Sequence, residues 1–418
     1  MYHKTVLKNG VRVITEQLDH LPSVSLGIWV NAGSRDEDRE ENGVFHFIEH
    51  MIFKGTKNRS SLQIAKELDA IGGLSNAFTG KENTCFHARV LGKHFTRLSD
   101  VFSDIFLHST FDFNDLERER QVIIQEISMA EDAPDDHIHI LFNRLFWPDH
   151  PIGMSVLGTE KSVSAIEKKT ILKYINHFYI PEKIIVAGAG DVDHESMVSY
   201  FEPLFSSLEG ENLHLKSDPP RSNAGVTVQY RDLEQVHICL GGGAPSQTSD
   251  KRFACAVLNT ILGGNMSSRL FQEIRENRGL AYSVFSFFSA YNDAGLLGVY
   301  VATDNQNVNP VLEAIKHEIN KIRNGNISKS ELAAAVDHLI GGIFLASEST
   351  DNRMMRIAKN EFVYQRYISY EEIVSELEKV TVDNVVDVAN GIFGDGNVSL
   401  ATLGPIKEEA LDKGNLYF

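Results

Sequence analysis

His46, Glu49 and His50 sit within one short run, GVFHFIEHMIFK, from Gly43 to Lys54. On a helix, positions three and four apart share a face, so the two imidazoles and the carboxylate meet within one turn. Imidazoles at i and i+4 can share one metal ion, and a carboxylate between them that does not ligate can reach water at that ion, the layout of a hydrolytic zinc site. The order H-x-x-E-H reverses the more familiar H-E-x-x-H. Phe45, Phe47, Ile48, Met51, Ile52 and Phe53 make the run apolar almost all round, so a buried helix is expected. Burying two histidines and a glutamate without a partner is costly, and a zinc ion would meet that demand. The plainer alternative is a helix whose polar residues share a face by accident, since short patterns recur.

A tetrahedral site with one position open to water needs a third protein ligand. The stretch Leu116 to Glu131, LERERQVIIQEISMAE, reads as a second helix on which Glu119 and Glu126, seven apart, share a face with Ile123 between them. Both are candidates. The competing reading makes them solvated partners of Arg118 and Arg120.

The segment HFIEHMIFKGT, with a glutamate 76 residues after His50 and another seven before that one, resembles the pitrilysin-type (M16, inverzincin) zinc peptidases, especially their mitochondrial-processing-peptidase-like branch, M16B. The resemblance implies one Zn2+ per chain held by His46, His50 and Glu126. It makes Glu49 the general base and Glu119 an accessory acid.

The elements that must position these groups follow in chain order. Thr5 to Thr15 alternates around Lys8-Asn9-Gly10 as a hairpin, Ser23 to Ala32 is strand-like, and Ser61 to Ile71 is helical. Leu74 to Leu91 alternates as two strands joined near Gly80-Lys81. By the resemblance its first strand is a sheet edge beside the zinc that pairs with extended substrate, which assigns Asn76, Ala77 and Phe78 to substrate binding. An ordinary hairpin fits the same residues. His137 and His139 are two apart, which on a helix puts them on different faces and argues against a second metal site. Asp135 and Asp136 lie where processing enzymes carry acids that read arginine, but only part of that acidic set is present.

Ile184 to Asp193 is a buried strand whose Gly188-x-Gly190 lacks the full dinucleotide fingerprint. The polar, Gly- and Pro-containing stretch Glu209 to Gly225 is the expected linker. Beyond it, strand, helix and hairpin patterns recur in the same order, with Arg252 to Leu262 standing where the histidine helix stood but bearing no ligands. The expected fold is α+β: two similar α/β domains, each a mainly antiparallel sheet packed with helices, with residues 1–208 catalytic and 226–418 without metal ligands. In SSRLFQEIRENRGLAYS, Arg275 and Tyr282 match, by the resemblance, a second-domain pair that reaches the substrate and its developing oxyanion; the bland reading is a helix end packed on a core tyrosine.

A formal net charge of −17 with no basic patch argues against a nucleic-acid partner. No window holds eighteen apolar residues and the N-terminal stretch has no hydrophobic core segment, so neither a membrane span nor a signal peptide is expected. Cys85, Cys239 and Cys255 are scattered and odd in number, which suits reduced core residues and a cytoplasmic setting. The closing GNLYF resembles part of a tag cleavage site and is set aside.

Taken with the resemblance, these residues point to a zinc endopeptidase acting on unfolded, possibly basic, peptides or presequences. The resemblance implies closure between domains, and a chamber made by a homodimer or by a heterodimer with a chain lacking the motif. The alternatives are a non-catalytic structural subunit of such a complex and a zinc hydrolase of non-peptide substrates; the intact set His46, Glu49, His50 and Glu126 separates the first of these from an enzyme.

Overall fold

A computed structural model describes residues 1–210, 218–394 and 396–417. The chain forms two compact units. Unit 1 comprises Met1–Met129, Met154–Ser217 and Leu345–Ile368; unit 2 comprises Ala130–Gly153, Asp218–Phe344 and Ser369–Phe418.

Unit 1 is built on six strands: β1 Tyr2–Val6, β2 Arg12–Gln17, β3 Ser23–Val30, β4 Leu74–Thr79, β5 Thr84–Leu91 and β6 Ile184–Gly190. They lie in the order β1-β2-β6-β3-β5-β4. Gly10, at φ +103°, supplies the left-handed turn of the β1–β2 hairpin that Asn9-Gly10 predicts. Only β2 and β6 run parallel. Unit 2 is built on β7 Val226–Tyr230, β8 Val236–Gly243, β9 Ala281–Ala290, β10 Gly295–Thr303 and β11 Val398–Gly404, ordered β7-β11-β8-β10-β9. Again one pair, β7 and β11, is parallel. Strand for strand, β2, β6, β3, β5 and β4 of the first sheet correspond to β7, β11, β8, β10 and β9 of the second. The helix after β3, Val44–Ile52, corresponds to Arg252–Gly263 after β8. The expected repeat is therefore present, with the hairpins β4–β5 and β9–β10 placing β4 and β9 at sheet edges.

The units differ from the expected division at 209–225, of which residues 211–217 lie outside the described residues. Each half of the chain lends a helix to the other half's sheet. Pro134–Phe146 covers β8 and β11, packing Ile138, Phe142 and Phe146 with Cys239, Ala401 and Leu403. Thr350–Tyr364 covers β2, β3 and β6, packing Met354, Ile357 and Ala358 with Ile14, Trp29 and Ile185. Periodicity shows that such a helix has an apolar face, but not which sheet that face will cover.

The lent helix in unit 1 is fastened by polar contacts as well. Glu16, buried on β2, accepts from Arg353 at 2.9 Å and faces Arg356 at 3.4 Å, while buried Glu361 meets Lys4 at 2.6 Å and Arg12 at 3.4 Å. Ser25 bonds Thr350 and Asp351 at 2.7 and 2.6 Å. Removing the helix would strip the apolar back of the sheet, leave the buried Glu16 carboxylate without Arg353 and Arg356, and leave Lys4 and Arg12 without Glu361, a cost of several kcal/mol. A chain comprising residues 1–210 alone is therefore expected to bind a hydrophobic dye and to be cut rapidly by a non-specific protease. Adding residues 345–368 as a separate peptide should slow the cuts that fall within 1–129 and 154–210, while Pro134–Phe146, whose covering sheet is missing from this fragment, stays open; unchanged cutting within those two segments would refute the role given to the lent helix.

Candidate metal centre

The histidine helix, Val44–Ile52, buries Val44, Phe45, Phe47, Ile48, Met51 and Ile52 to 2 % exposure or less. One face is left for His46, Glu49 and His50. Gly43, its N-cap, sits at φ +96° and carries no side chain to cap the helix, and a Cβ there would lie 2.8 Å from the Leu157 carbonyl oxygen. Glu37 supplies the missing cap: its carboxylate accepts from the backbone N–H of Gly43 at 2.8 Å and of Phe45 at 2.9 Å, and from Asn42 Nδ2 at 2.8 Å. Beyond the helix, the Asp104 carboxylate pins the following loop through Thr56, Asn58 and Arg59 at 2.7, 2.6 and 2.8 Å.

The second helix, Phe113–Asp132, turns Leu116, Ile123 and Ile127 into the core beside the first, which brings Glu119 and Glu126 to the histidines. Glu126 Oε2 lies 3.6 Å from His46 Nε2 and 3.5 Å from His50 Nε2, and the rings of His46 and His50 are 4.7 Å apart. These separations are too long for hydrogen bonds. The two Glu126–histidine separations match the ligand-to-ligand edges of about 3.4 Å that a tetrahedral ion with 2.0–2.1 Å bonds requires, and the ligand atoms of all three residues lie within 4.8 Å of one another. Among the described residues this is the one group of three or more His, Cys, Asp or Glu side chains that converge in this way.

Electrostatics favour the same reading. Burial and the neighbouring His50 push His46 down to about 4, so it is neutral and does not form an ion pair with Glu126. Glu119 Oε2 is 3.1 Å from His50 Nδ1, and its other oxygen takes 2.7 Å from Lys54 Nζ. A Nδ1–H donated to Glu119 leaves the His50 Nε2 lone pair free for a metal. Burial raises the Glu119 carboxyl, but the bonds from His50 and Lys54 outweigh it and hold it below its ordinary range. The alternative pairing of the helix acids is not what forms: Arg118 bonds Asp115, and Arg120 bonds Glu117 and the carbonyls of Val163 and Ile166. Glu49 stands on the ligand face without joining the triangle. Burial raises its carboxyl, against hydrogen bonds from Thr79 and the charge of His50.

Comparison with known proteins agrees with this geometry. A family model described as "Insulinase (Peptidase family M16)" matches residues 12–160, and one described as "Peptidase M16 inactive domain" matches residues 165–339. Uncharacterized zinc protease YmxG of Bacillus subtilis is 36 % identical over 405 residues, covering 97 % of this chain and 98 % of its own. The chain belongs to peptidase family M16. An uncharacterized zinc protease of Streptomyces coelicolor is 38 % identical over 415 residues, covering 97 % of this M16 chain and 90 % of its own. The fold is shared with a protease from Helicobacter pylori, TM-score 0.90 at 22 % identity, covering 97 % of this chain and 99 % of that one. It is shared equally with a protein from Pseudomonas fluorescens described as a peptidase M16 inactive domain, TM-score 0.90 at 19 % identity, covering 97 % and 98 %.

The remaining expected M16 residues fall in two places. On the edge strand β4, side chains alternate, so Ala77 packs toward the histidine helix while Phe78 sets its ring against Trp29 at 5.4 Å on the opposite face. Asn76 is exposed and bonds the Ala77 N–H at 2.9 Å. Phe78 can thus offer a peptide its backbone but not its side chain. Arg275, in Phe271–Asn277, and Tyr282, on β9, lie in unit 2 and meet each other: the guanidinium carbon is 4.2 Å from the tyrosine ring centre. Tyr282 is 75 % exposed, so it is not the core tyrosine of the bland reading. Three residues went unnoticed in the sequence. Glu37 lies in the polar loop just before the helix, where nothing marks it as the cap; Thr79 is 30 residues from Glu49, and Lys54 closes the motif run itself but gains its role only opposite Glu119.

Two measurements test this account. Glu119→Gln should weaken zinc binding about 10- to 100-fold in a chelator competition, since it removes the charge that orients His50; unchanged affinity would contradict it. Burial raises Glu37 from 4.5 to about 7, so between those pH values the folded chain keeps a proton that the unfolded chain has released. In urea unfolding of metal-free protein, wild type should therefore lose about 3 kcal/mol relative to Glu37→Gln as pH rises through that window, and stay level above it.

Proposed function

We propose that this chain is a zinc-dependent endopeptidase of the M16 family, in its mitochondrial-processing-peptidase-like branch, with Glu49 as general base. The observation that carries the reading is the triangle of His46, His50 and Glu126, held at metal-ligand spacing without hydrogen bonds, with one unligated acid on the same helix face. Zinc, when bound, supplies Lewis acidity to a peptide carbonyl and to water.

The chain's own residues do the rest. His46 and His50 offer ring nitrogens, Glu126 adds a carboxylate, and Glu119 with Lys54 fixes the orientation of His50. Glu49 accepts a proton at its carboxylate as water attacks and returns it to the leaving amine. Its raised affinity for a proton suits both halves of that cycle. Arg275 and Tyr282 are assigned as donors to the oxygen that gains charge. Extended substrate adds along β4, whose outer edge has no strand partner among the described residues, at Asn76 to Phe78. Unfolded peptides or presequences, basic ones among them, are the substrate class. A closed chamber formed by a homodimer, or with a partner lacking the motif, would exclude folded proteins. The three unpaired, buried cysteines support a cytoplasmic setting.

A non-catalytic subunit is the competing reading. The family model described as an inactive domain begins at residue 165, whereas His46, His50 and Glu126 all fall within the other model, at residues 12–160. That division supports chemistry in the first half and its absence from the second.

The deciding experiment is hydrolysis of a fluorescence-quenched, unstructured basic peptide by wild type and by Glu49→Gln, with zinc counted in both. Wild type should cleave, stop on removal of zinc by a chelator and recover on its return. Glu49→Gln should keep its zinc and lose at least about 100-fold in rate. If both bind zinc and neither cleaves any of a varied peptide set, the non-catalytic reading replaces this one.

A further inference from the structure

Thr79 is the last residue of β4 and follows directly on Asn76 to Phe78. Alternation along the strand puts it on the same face as Ala77, toward the histidine helix. Its hydroxyl oxygen lies 2.6 Å from Glu49 Oε2 and 3.4 Å from the carbonyl oxygen of Phe45. A hydroxyl has one proton to give, and the shorter contact, to a charged acceptor, takes it. Among the described residues no other side chain hydrogen-bonds to Glu49. One oxygen of the carboxylate is thereby fixed by a neutral side-chain donor, which adds no charge to the metal face, and the Thr79 backbone N–H, which every variant at this position keeps, also donates to the carboxylate.

We propose that Thr79 is a positioning residue that aims the Glu49 carboxylate and ties it to the edge strand on which a peptide would add. The proposal rests on the endopeptidase reading of Glu49. Its physical content is a mechanical link: β4 is an edge strand with a partner, β5, on one side only, so its end is held less firmly than an inner strand. A peptide pairing with its open side would steady the strand, and with it the hydroxyl that sets the base. Binding and alignment of the base would then share one residue.

The test compares Thr79→Val, which keeps the β-branched shape that strands accept but has no donor, with Thr79→Ser, which keeps the donor. In Thr79→Val, kcat should fall about 10- to 100-fold, the loss expected for one hydrogen bond to a charged group, with KM within about twofold. Zinc content should not change. Thr79→Ser should return kcat to within about threefold of wild type. In a Glu49→Gln background Thr79→Val should cost nothing further, because the group it aims is no longer a base. Crystal structures supply a readout independent of turnover: Glu49 should hold a single carboxylate position in wild type and Thr79→Ser and lose it in Thr79→Val. Wild-type kcat in Thr79→Val, an equal loss in Thr79→Ser, or an unmoved Glu49 in Thr79→Val would each overturn the proposal. Should wild type cleave no peptide, the endopeptidase reading fails, and the Glu49 positions alone decide whether Thr79 orients it.

Discussion

Everything at the site depends on burying a nine-residue helix that carries two histidines and a glutamate. Six apolar side chains drive Val44–Ile52 into the core, and the same burial strips water from the polar face. The surroundings answer that loss group by group. Glu37 satisfies the helix start, Glu119 takes a ring nitrogen of His50, Thr79 takes one oxygen of Glu49, and Glu126 faces both imidazoles. What no protein group among the described residues supplies is a positive charge between the two imidazoles and the Glu126 carboxylate. A divalent cation fits that position.

The acids around this helix are kept distinct by their environments. Glu119 is held ionised by Lys54 and His50, while burial raises Glu37 and Glu49 toward neutrality. Chemically identical side chains are therefore an ionised anchor at His50, a helix cap, and an acid on the ligand face whose carboxyl burial raises. Separation of roles by solvation and donors is what lets one small volume hold four carboxylates beside a metal position.

The repeated fold explains why the chemistry is confined to one half. Both sheets place a helix after their corresponding strand, β3 or β8, and an edge hairpin strand, β4 or β9, beside it. In the second half the equivalent helix, RFACAVLNTILG, carries no histidine and no acid. It is free to pack as ordinary core, with Val257, Leu258 and Leu262 fully buried. The scaffold tolerates either content because its stability comes from the apolar stripe, which both helices keep.

The sequence by itself determined which side chains could hold a metal, the acid that shares their helix face, and the repeat. Those signals are local: i, i+3 and i+4 spacing in the histidine helix, seven-residue spacing between Glu119 and Glu126, and alternation in the hairpins survive in one dimension because backbone geometry imposes them. The tertiary structure alone decided which acid caps the helix and which is clamped, since Lys54 and Thr79 act across chain separations that no periodicity encodes and Glu37 acts through the fold of an irregular loop. It also decided that Phe78 turns its ring away from the metal face, and that Pro134–Phe146 and Thr350–Tyr364 exchange sheets. An amphipathic helix specifies only that it must be covered. Which surface covers it is settled by shape, and by buried charges such as Glu16 and Glu361 that find their cations only when the right helix arrives.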